Sequence, residues 1–463
     1  MSTPLLEYVD VFLPGRDDTL TQAPAYHWER TEERSEISAK EGLDEQSGGP
    51  HGNHPTDTTE IRLHTAGMSA NLYTHTRDAS TVLVAVTGSD ANQKRQLAQS
   101  TFIFDHTNLK YHDFDGFGVH LPGILVTNHG IAIAVCQRRH GSMGDGGHSN
   151  DVLISRSTDD GKTWSRQQVI YSEPNQYTFL GAIVEDQVSG TIMVACWNMP
   201  AEIVDDLGYF STYAKQGGGF WLVQSSDEGS TWSTARHIIP QPNSDGWIGW
   251  PNNSVHGIQL KTDSHHGRIV IPGFLYKEDE AGEVPGVRGG LLYSDDHGQT
   301  WTVGGVLPEG SDEVALVETS AGEIYVSYRR NTCRTNGRTF ASSRDGGTSF
   351  YTFGEHSEVS GRPVHVGLTR HIRRKQQARD LLLFSHPIGR NRLVPGGTDM
   401  TIYASADDGH SWPISRLIDP RPCRYSDLAV TENGTILCVY TVGEIRDSEK
   451  ISVARFNVEW VLA

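Results

Sequence analysis

Beyond about residue 118 the hydrophobic and polar positions fall into short apolar or alternating runs, each interrupted by glycine and small polar residues. Such alternation predicts strands. Residues 123–135 predict a strand pair turning at Asn128-His129-Gly130. Runs at 152–154, 220–223, 290–293, 339–341 and 400–404 predict further strands, and 451–462 a last one. Each of those five runs leads into one pattern, S-x-D-x-G-x-[TS]-[WF], at Ser157 to Trp164, Ser225 to Trp232, Ser294 to Trp301, Ser343 to Phe350 and Ser405 to Trp412. The aspartate supplies a side-chain acceptor, the glycine a positive φ, and the aromatic packs against the turn, as a tight hairpin requires. Copies 49 to 69 residues apart make an array of small sheets, and the array that fits is all-β: a six-bladed β-propeller with five marked turns and one unmarked blade. As turns, the repeats carry no chemistry and serve as a ruler along the chain.

Residues 1–115 contain no copy of the turn and predict an N-terminal extension, or an insertion in the first blade, ahead of a propeller over 116–463. Strands are expected at 8–14 and 81–87 and a short helix at 93–101, while 15–60 is polar without an apolar period, as in a long loop or a disordered segment.

Composition narrows the function classes. A formal charge of -18 over 463 residues argues against nucleic acid or an anionic membrane as a partner, so any anion must be met by a local cluster of arginines. No apolar run reaches membrane length and the N-terminus lacks the basic and apolar regions of a signal peptide, giving cytoplasmic as the expected location. Five cysteines without a C-x-x-C pair read as buried or free thiols. The 21 histidines form no metal-binding motif, and the Asp-rich turns lack a full oxygen-ligand loop, so neither a metal nor another cofactor is expected. The basic run from Arg370 to Lys375 reads as a solvated loop.

An ordered set of segments then resembles the sialidase (neuraminidase) superfamily, in which the repeat turn is called the Asp-box. They are Leu121 to Thr127, Gln137-Arg138-Arg139, Asp145, His256 to Leu260, Asp312-Glu313-Val314 with Arg329, and Tyr425-Ser426-Asp427-Leu428-Ala429. The likeness covers roughly residues 118 to 463. It implies a retaining exo-glycosidase acting on a terminal acidic sugar of a glycan, either sialic acid or a related 2-keto-3-deoxy sugar acid. A tyrosine hydroxyl is a poor nucleophile at neutral pH and needs a base beside it, and the resemblance casts Tyr425 as nucleophile and Glu313 as its activator. It makes Asp145, in a glycine-rich loop, the acid and base, with Asp151 the next choice. Planar guanidinium forks suit a carboxylate, and the resemblance gives these roles to Arg329, with Arg330 competing, and to Arg390 or Arg392; Arg139, or else Arg138, would line the sugar pocket.

One departure stands out. Where the family opens its first motif with arginine, this chain has His120, and the glutamate expected to brace that arginine is replaced by Thr441. A joint change of two touching positions reads as a re-specified pocket, with His120 facing the substrate as a donor or, if protonated, a weak cation. Uronate sugars therefore join the candidate substrates. The alternatives are a lyase on uronate glycans using tyrosine and histidine chemistry, and a non-catalytic glycan-binding propeller. Trp197, Trp221, Trp247 and Trp250 are candidates for sugar stacking or for blade packing.

Overall fold

The computed structural model describes residues 117–463 except 141–148, 201–218, 252–254, 263–264, 281–283, 285, 331–336, 373–378, 390–396 and 444–446. Before residue 117 it describes only the backbone of Leu6–Glu7, Thr58–Thr65, Met68–His75 and Val82–Leu83. The expected strand at 8–14 and helix at 93–101 lie outside these residues.

Six antiparallel sheets form the blades of a propeller. The first blade comprises Phe117–Val126, Ala132–His140, Asn150–Ser157 and Gln168–Ser172, and the second Gln176–Asp186, Thr191–Pro200, Gly219–Ser225 and Arg236–Ile238. In the third, an inner strand in two pieces, Ile248–Pro251 and Ile258–Gln259, is followed by Ile269–Tyr276, Arg288–Ser294 and Thr302–Val306. Between those pieces Val255–His256 pairs in parallel with the second blade. The fourth blade is Ser311–Glu318, Ile324–Arg330, Gly337–Ser343 and Thr352–Ser360; the fifth is Gly367–His371, Leu381–Gly389, Thr398–Ser405 and Ile414–Asp419. Cys423–Val430, Ile436–Val442 and Lys450–Phe456 make the sixth, the blade without a repeat turn, and Leu6–Glu7 adds its outer strand against Arg455 and Phe456.

The strand expected over 451–462 stops at Phe456. Asn457 turns the chain: its side-chain oxygen accepts the Trp460 amide at 2.9 Å and caps the short helix Val458–Leu462.

Apolar side chains sort into six clusters, broadly one per seam between neighbouring blades. Ile133, Val135, Val152 and Ile154 meet Leu180, Ile183, Ile192 and Val194 between the first and second blades, and Val119, Ile124 and Leu153 meet Leu437, Val439 and Val453 where the sixth meets the first. Strands covered on both faces are buried along their whole length, as Ile269–Tyr276 is. The cluster between the second and third blades reaches the axis and takes in Leu121 of the first blade and Tyr425 of the sixth.

The repeat turns share one hydrogen-bond plan. In the first, Ser157 Oγ donates to Asp159 and accepts the Gly161 amide at 2.8 Å, Asp159 accepts the Thr163 amide and hydroxyl, and Trp164 Nε1 donates to Gly161 O. Asp160 and Gly161 are both left-handed, with φ of 58° and 77°, so the pattern specifies two consecutive positive-φ positions where the sequence marks one with glycine.

Candidate active site

Among the described residues, four innermost strands carry one extra residue at matching places. The register slips between His120 and Gly123, between Leu180 and Ile183, between Ser311 and Val314, and between Cys423 and Ser426. A bulge sets two residues against one and re-aims their side chains. In the fourth blade the two are Asp312 and Glu313, opposite Arg329; in the sixth they are Arg424 and Tyr425, opposite Thr441. Glu313 and Tyr425 thus occupy equivalent places on their strands. In the first blade the bulge holds Leu121-Pro122, and Leu121 takes a φ of 53°. First strands begin and second strands end on this face of the ring, while the repeat turns follow the third strands on the opposite face.

Tyr425 is buried at 4% exposure and ringed by nitrogen-bearing side chains. The His120 ring meets it edge-on at 4.7 Å, Arg424 Cζ lies 5.0 Å from its centroid, and His365 stands at 6.1 Å. Its amide donates to Thr441 Oγ1 at 3.2 Å. His120 and Thr441 therefore both contact Tyr425, one at the ring and one at the backbone.

Arg329 Nη1 donates to Glu313 at 3.2 Å, and its Nε lies 3.6 Å from Asp312. Burial works against the charge of Arg329, but Glu313 and Asp312, with Tyr425, hold its pKa above the usual arginine value. Arg338, on the third strand of the same blade, donates to Ser327 Oγ and Val364 O; burial brings its guanidinium down to about 10 despite nearby Glu313. Burial, with Arg139 and Arg424 beside it, pushes the His120 pKa well below 6.5. The shift favours the neutral imidazole of His120 over its cation. Its Nδ1 has no partner among the described residues.

The remaining sequence candidates separate. Arg139 is buried, with Cζ 5.8 Å from the Tyr177 ring, and contributes to the field at His120. Arg138 is instead held by Asp151, its Nε donating at 2.8 Å. Burial opposes ionisation of Asp151, yet hydrogen bonds from His140, Ser172 and Arg138 hold its carboxyl well below the usual range, so this second-choice acid is an ion-pair partner. Arg330, next to Arg329, makes no bond to the two carboxylates, and its Nε is without a hydrogen-bond partner among the described residues. Asp145, Arg390 and Arg392 lie outside the described residues. Trp197 stacks on Phe179 at 3.9 Å and, with Trp250, belongs to a buried cluster, which is blade packing; Trp221 packs on His237, and Trp247 faces Arg288.

Sequence reasoning passed over Arg424, Arg338 and His365. It also quoted Asp427 and His256 without seeing their connection. Asp427 is fully buried; its carboxylate accepts the amides of Ile124, His256 and Leu428 and faces His256 Nδ1 at 2.9 Å, tying the tyrosine-bearing strand to the first blade and to the strand beside the second.

The profile of the BNR repeat-like domain matches residues 137–438. A sialidase of Micromonospora viridifaciens is 28% identical over 386 residues, covering 78% of this chain and 54% of its own length. One from Bacteroides fragilis is 27% identical over 342 residues, covering 69% and 59%. The chain thus spans little more than half the length of these relatives. Among solved structures, the Hadza microbial sialidase Hz136 superposes with a TM-score of 0.65 at 23% identity, covering 87% of this chain and 74% of its own. The NanB sialidase of Streptococcus pneumoniae gives 0.61 at 15%, covering 78% and 71%; at such identities both speak for the fold. With its repeat turns, six blades and matched domain together, this chain belongs to the BNR repeat-like domain family of the sialidase superfamily.

Proposed function

We propose that the chain is a retaining exo-glycoside hydrolase that removes a terminal acidic sugar, sialic acid or a related 2-keto-3-deoxy sugar acid, from a glycan. The observation that carries this reading is the matched bulge: Glu313 and Tyr425 stand at equivalent places on two inner strands, with Arg329 bonded to Glu313 and within the field of Tyr425. A neutral phenol can approach an anionic sugar without the repulsion a carboxylate nucleophile would meet.

In the first step the Tyr425 oxygen bonds to the anomeric carbon while its proton passes to Glu313. The bond to the leaving oxygen breaks, and that oxygen takes a proton from Asp145. In the second step water attacks the anomeric carbon, giving its proton to the Asp145 carboxylate, and the phenolate leaves and recovers its proton from Glu313. Arg139, Arg329 and one of Arg390 or Arg392 meet the acid group, and His120 donates to the sugar. The relatives named sialidases support the substrate class.

The edge-on His120–Tyr425 pair at 4.7 Å favours one second reading, a lyase in which these two side chains move the protons of a β-elimination on a uronate glycan. Product analysis separates the two. A hydrolase releases a saturated sugar acid, first seen by NMR with its anomeric configuration retained, and a lyase releases an unsaturated uronate absorbing in the ultraviolet. We expect Tyr425→Phe to lower kcat on an aryl glycoside of N-acetylneuraminic acid by about three orders of magnitude with the melting temperature unchanged. Full turnover by that variant would remove Tyr425 from the mechanism.

A further inference from the structure

We infer that Arg424 binds the substrate carboxylate together with Arg329, so that the sixth blade supplies the guanidinium that the first blade lacks at His120. The inference rests on the hydrolase reading and specifies how that site holds its acid group.

In a regular strand, successive side chains diverge to opposite faces. The extra residue opposite Thr441 breaks that rule, and Arg424 is carried over the ring of Tyr425, its neighbour, at 5.0 Å. Four arginines of the propeller are held by carboxylates, Arg138 by Asp151, Arg268 by Asp295, Arg421 by Asp419 and Arg329 by Glu313, and no such ion pair holds Arg424 among the described residues. Arg424 is half-buried, and its buried Nε has no hydrogen-bond partner among the described residues. A desolvated donor left unsatisfied is costly, and the cost is recovered when an acceptor arrives.

The surrounding charges define that acceptor. Burial opposes the charge of Arg424, while Tyr425, Asp447 and Glu313 favour it and Arg329 disfavours it. The positive charge of Arg329 thus acts against that of Arg424, and both guanidinium groups lie in the field of Tyr425. An anion seated between them relieves the repulsion and fills the free donor at once. The fork geometry of guanidinium selects a planar carboxylate over a point charge. His120 cannot compete for this role, because its burial and the cations beside it keep it uncharged.

The test compares aryl glycosides of N-acetylneuraminic acid and of its methyl ester on the full chain, as wild type, Arg424→Gln and Arg424→Lys. Melting temperatures serve as the folding control. We expect Arg424→Gln to lose about 10- to 100-fold in kcat/KM on the acid, carried by KM, and less than about twofold on the ester, with the lysine variant recovering part of the loss. Equal losses on acid and ester would make Arg424 a structural residue, and no loss on the acid would exclude it from the site; in both cases a wild type that releases the acidic sugar keeps the hydrolase reading intact. A wild type that turns over neither compound, nor binds the free sugar acid by calorimetry, overturns both.

Discussion

Around Tyr425 the balance of burial and charge decides which groups can carry protons. His365 is fully buried, neither ring nitrogen has a hydrogen-bond partner among the described residues, and its ring lies 6.1 Å from Tyr425. Burial, opposed by Asp427 and assisted by Arg338, His256 and Arg329, brings its pKa from 6.5 down to about 3. Between those two values the unfolded chain binds a proton at this position and the native chain does not, so stability falls as pH falls through this window. His120 acts in the same direction. His256 has the opposite sign: Asp427 overcomes its burial and raises its pKa, so its contribution is complete below 6.5 and fades as pH rises through the raised value. An apolar side chain at 365 removes the first of these effects. We expect His365→Leu to change unfolding free energy by less than about 1.5 kcal/mol at pH 8, and to narrow the loss between pH 8 and pH 5 by about 1–2 kcal/mol. Parallel urea-unfolding profiles for variant and wild type across that range would show that His365 is not the group responsible.

Strands explain why the site was only partly legible. Asp427 lies two residues beyond Tyr425, and its buried carboxylate accepts amides from Ile124 and His256 besides that of Leu428. Asp427→Ala leaves those donors without an acceptor, and removing one partner of a buried charged network costs about 3–5 kcal/mol. We expect that loss in urea unfolding, together with a reduced kcat, because the strand that positions Tyr425 loses its anchor; a variant within about 1 kcal/mol of wild type would show the strand to be held elsewhere. The turns were readable because each encodes its own bonds within eight residues, as Ser157, Asp159 and Gly161 do. Six blades followed from their spacing. Tyr425 and Glu313 were reached through their motifs, but Arg424 was not: alternation places it on the other face, and the bulge that turns it inward depends on pairing with Thr441 across the sheet. The neutrality of His120 was hidden for a related reason, since it comes first from burial within the assembled ring and then from Arg139 on the neighbouring strand and Arg424 on another blade.

At the scale of the ring, the repeat turns do more than reverse the chain. Arg156 of the first blade donates to Glu228 O in the second turn, Arg236 of the second blade to Gly298 O in the third, and Arg268 of the third blade to Gly346 O in the fourth. Arg455 of the sixth blade completes the series, its Nε donating to Asp160 O of the first turn at 2.6 Å. The acceptors are carbonyls of the left-handed residues in each turn, so the geometry that makes the turn tight also presents an oxygen to the neighbouring blade. The sixth-to-first seam differs in one respect: its partners are 295 residues apart, so this bond joins the ends of the ring, whereas Arg156 and Glu228 join consecutive blades. Asn433 also donates to the Asp160 carboxylate, and a Cβ placed on Gly161 would come within 2.8 Å of Leu437, so the seam is polar at the turn and tightly packed beneath it. Each arginine bond is worth about 1.5–3 kcal/mol as a charged donor on a carbonyl. Arg455→Ala and Arg156→Ala should therefore lose similar unfolding free energy but open different parts of the molecule. In native-state hydrogen exchange, Arg455→Ala is expected to release amides of Lys450–Phe456 and Asn150–Ser157 ahead of the rest, and Arg156→Ala those of Asn150–Ser157 and Gly219–Ser225. Identical exchange patterns in the two variants would mean that the propeller opens as one unit and that the turns do not latch individual seams.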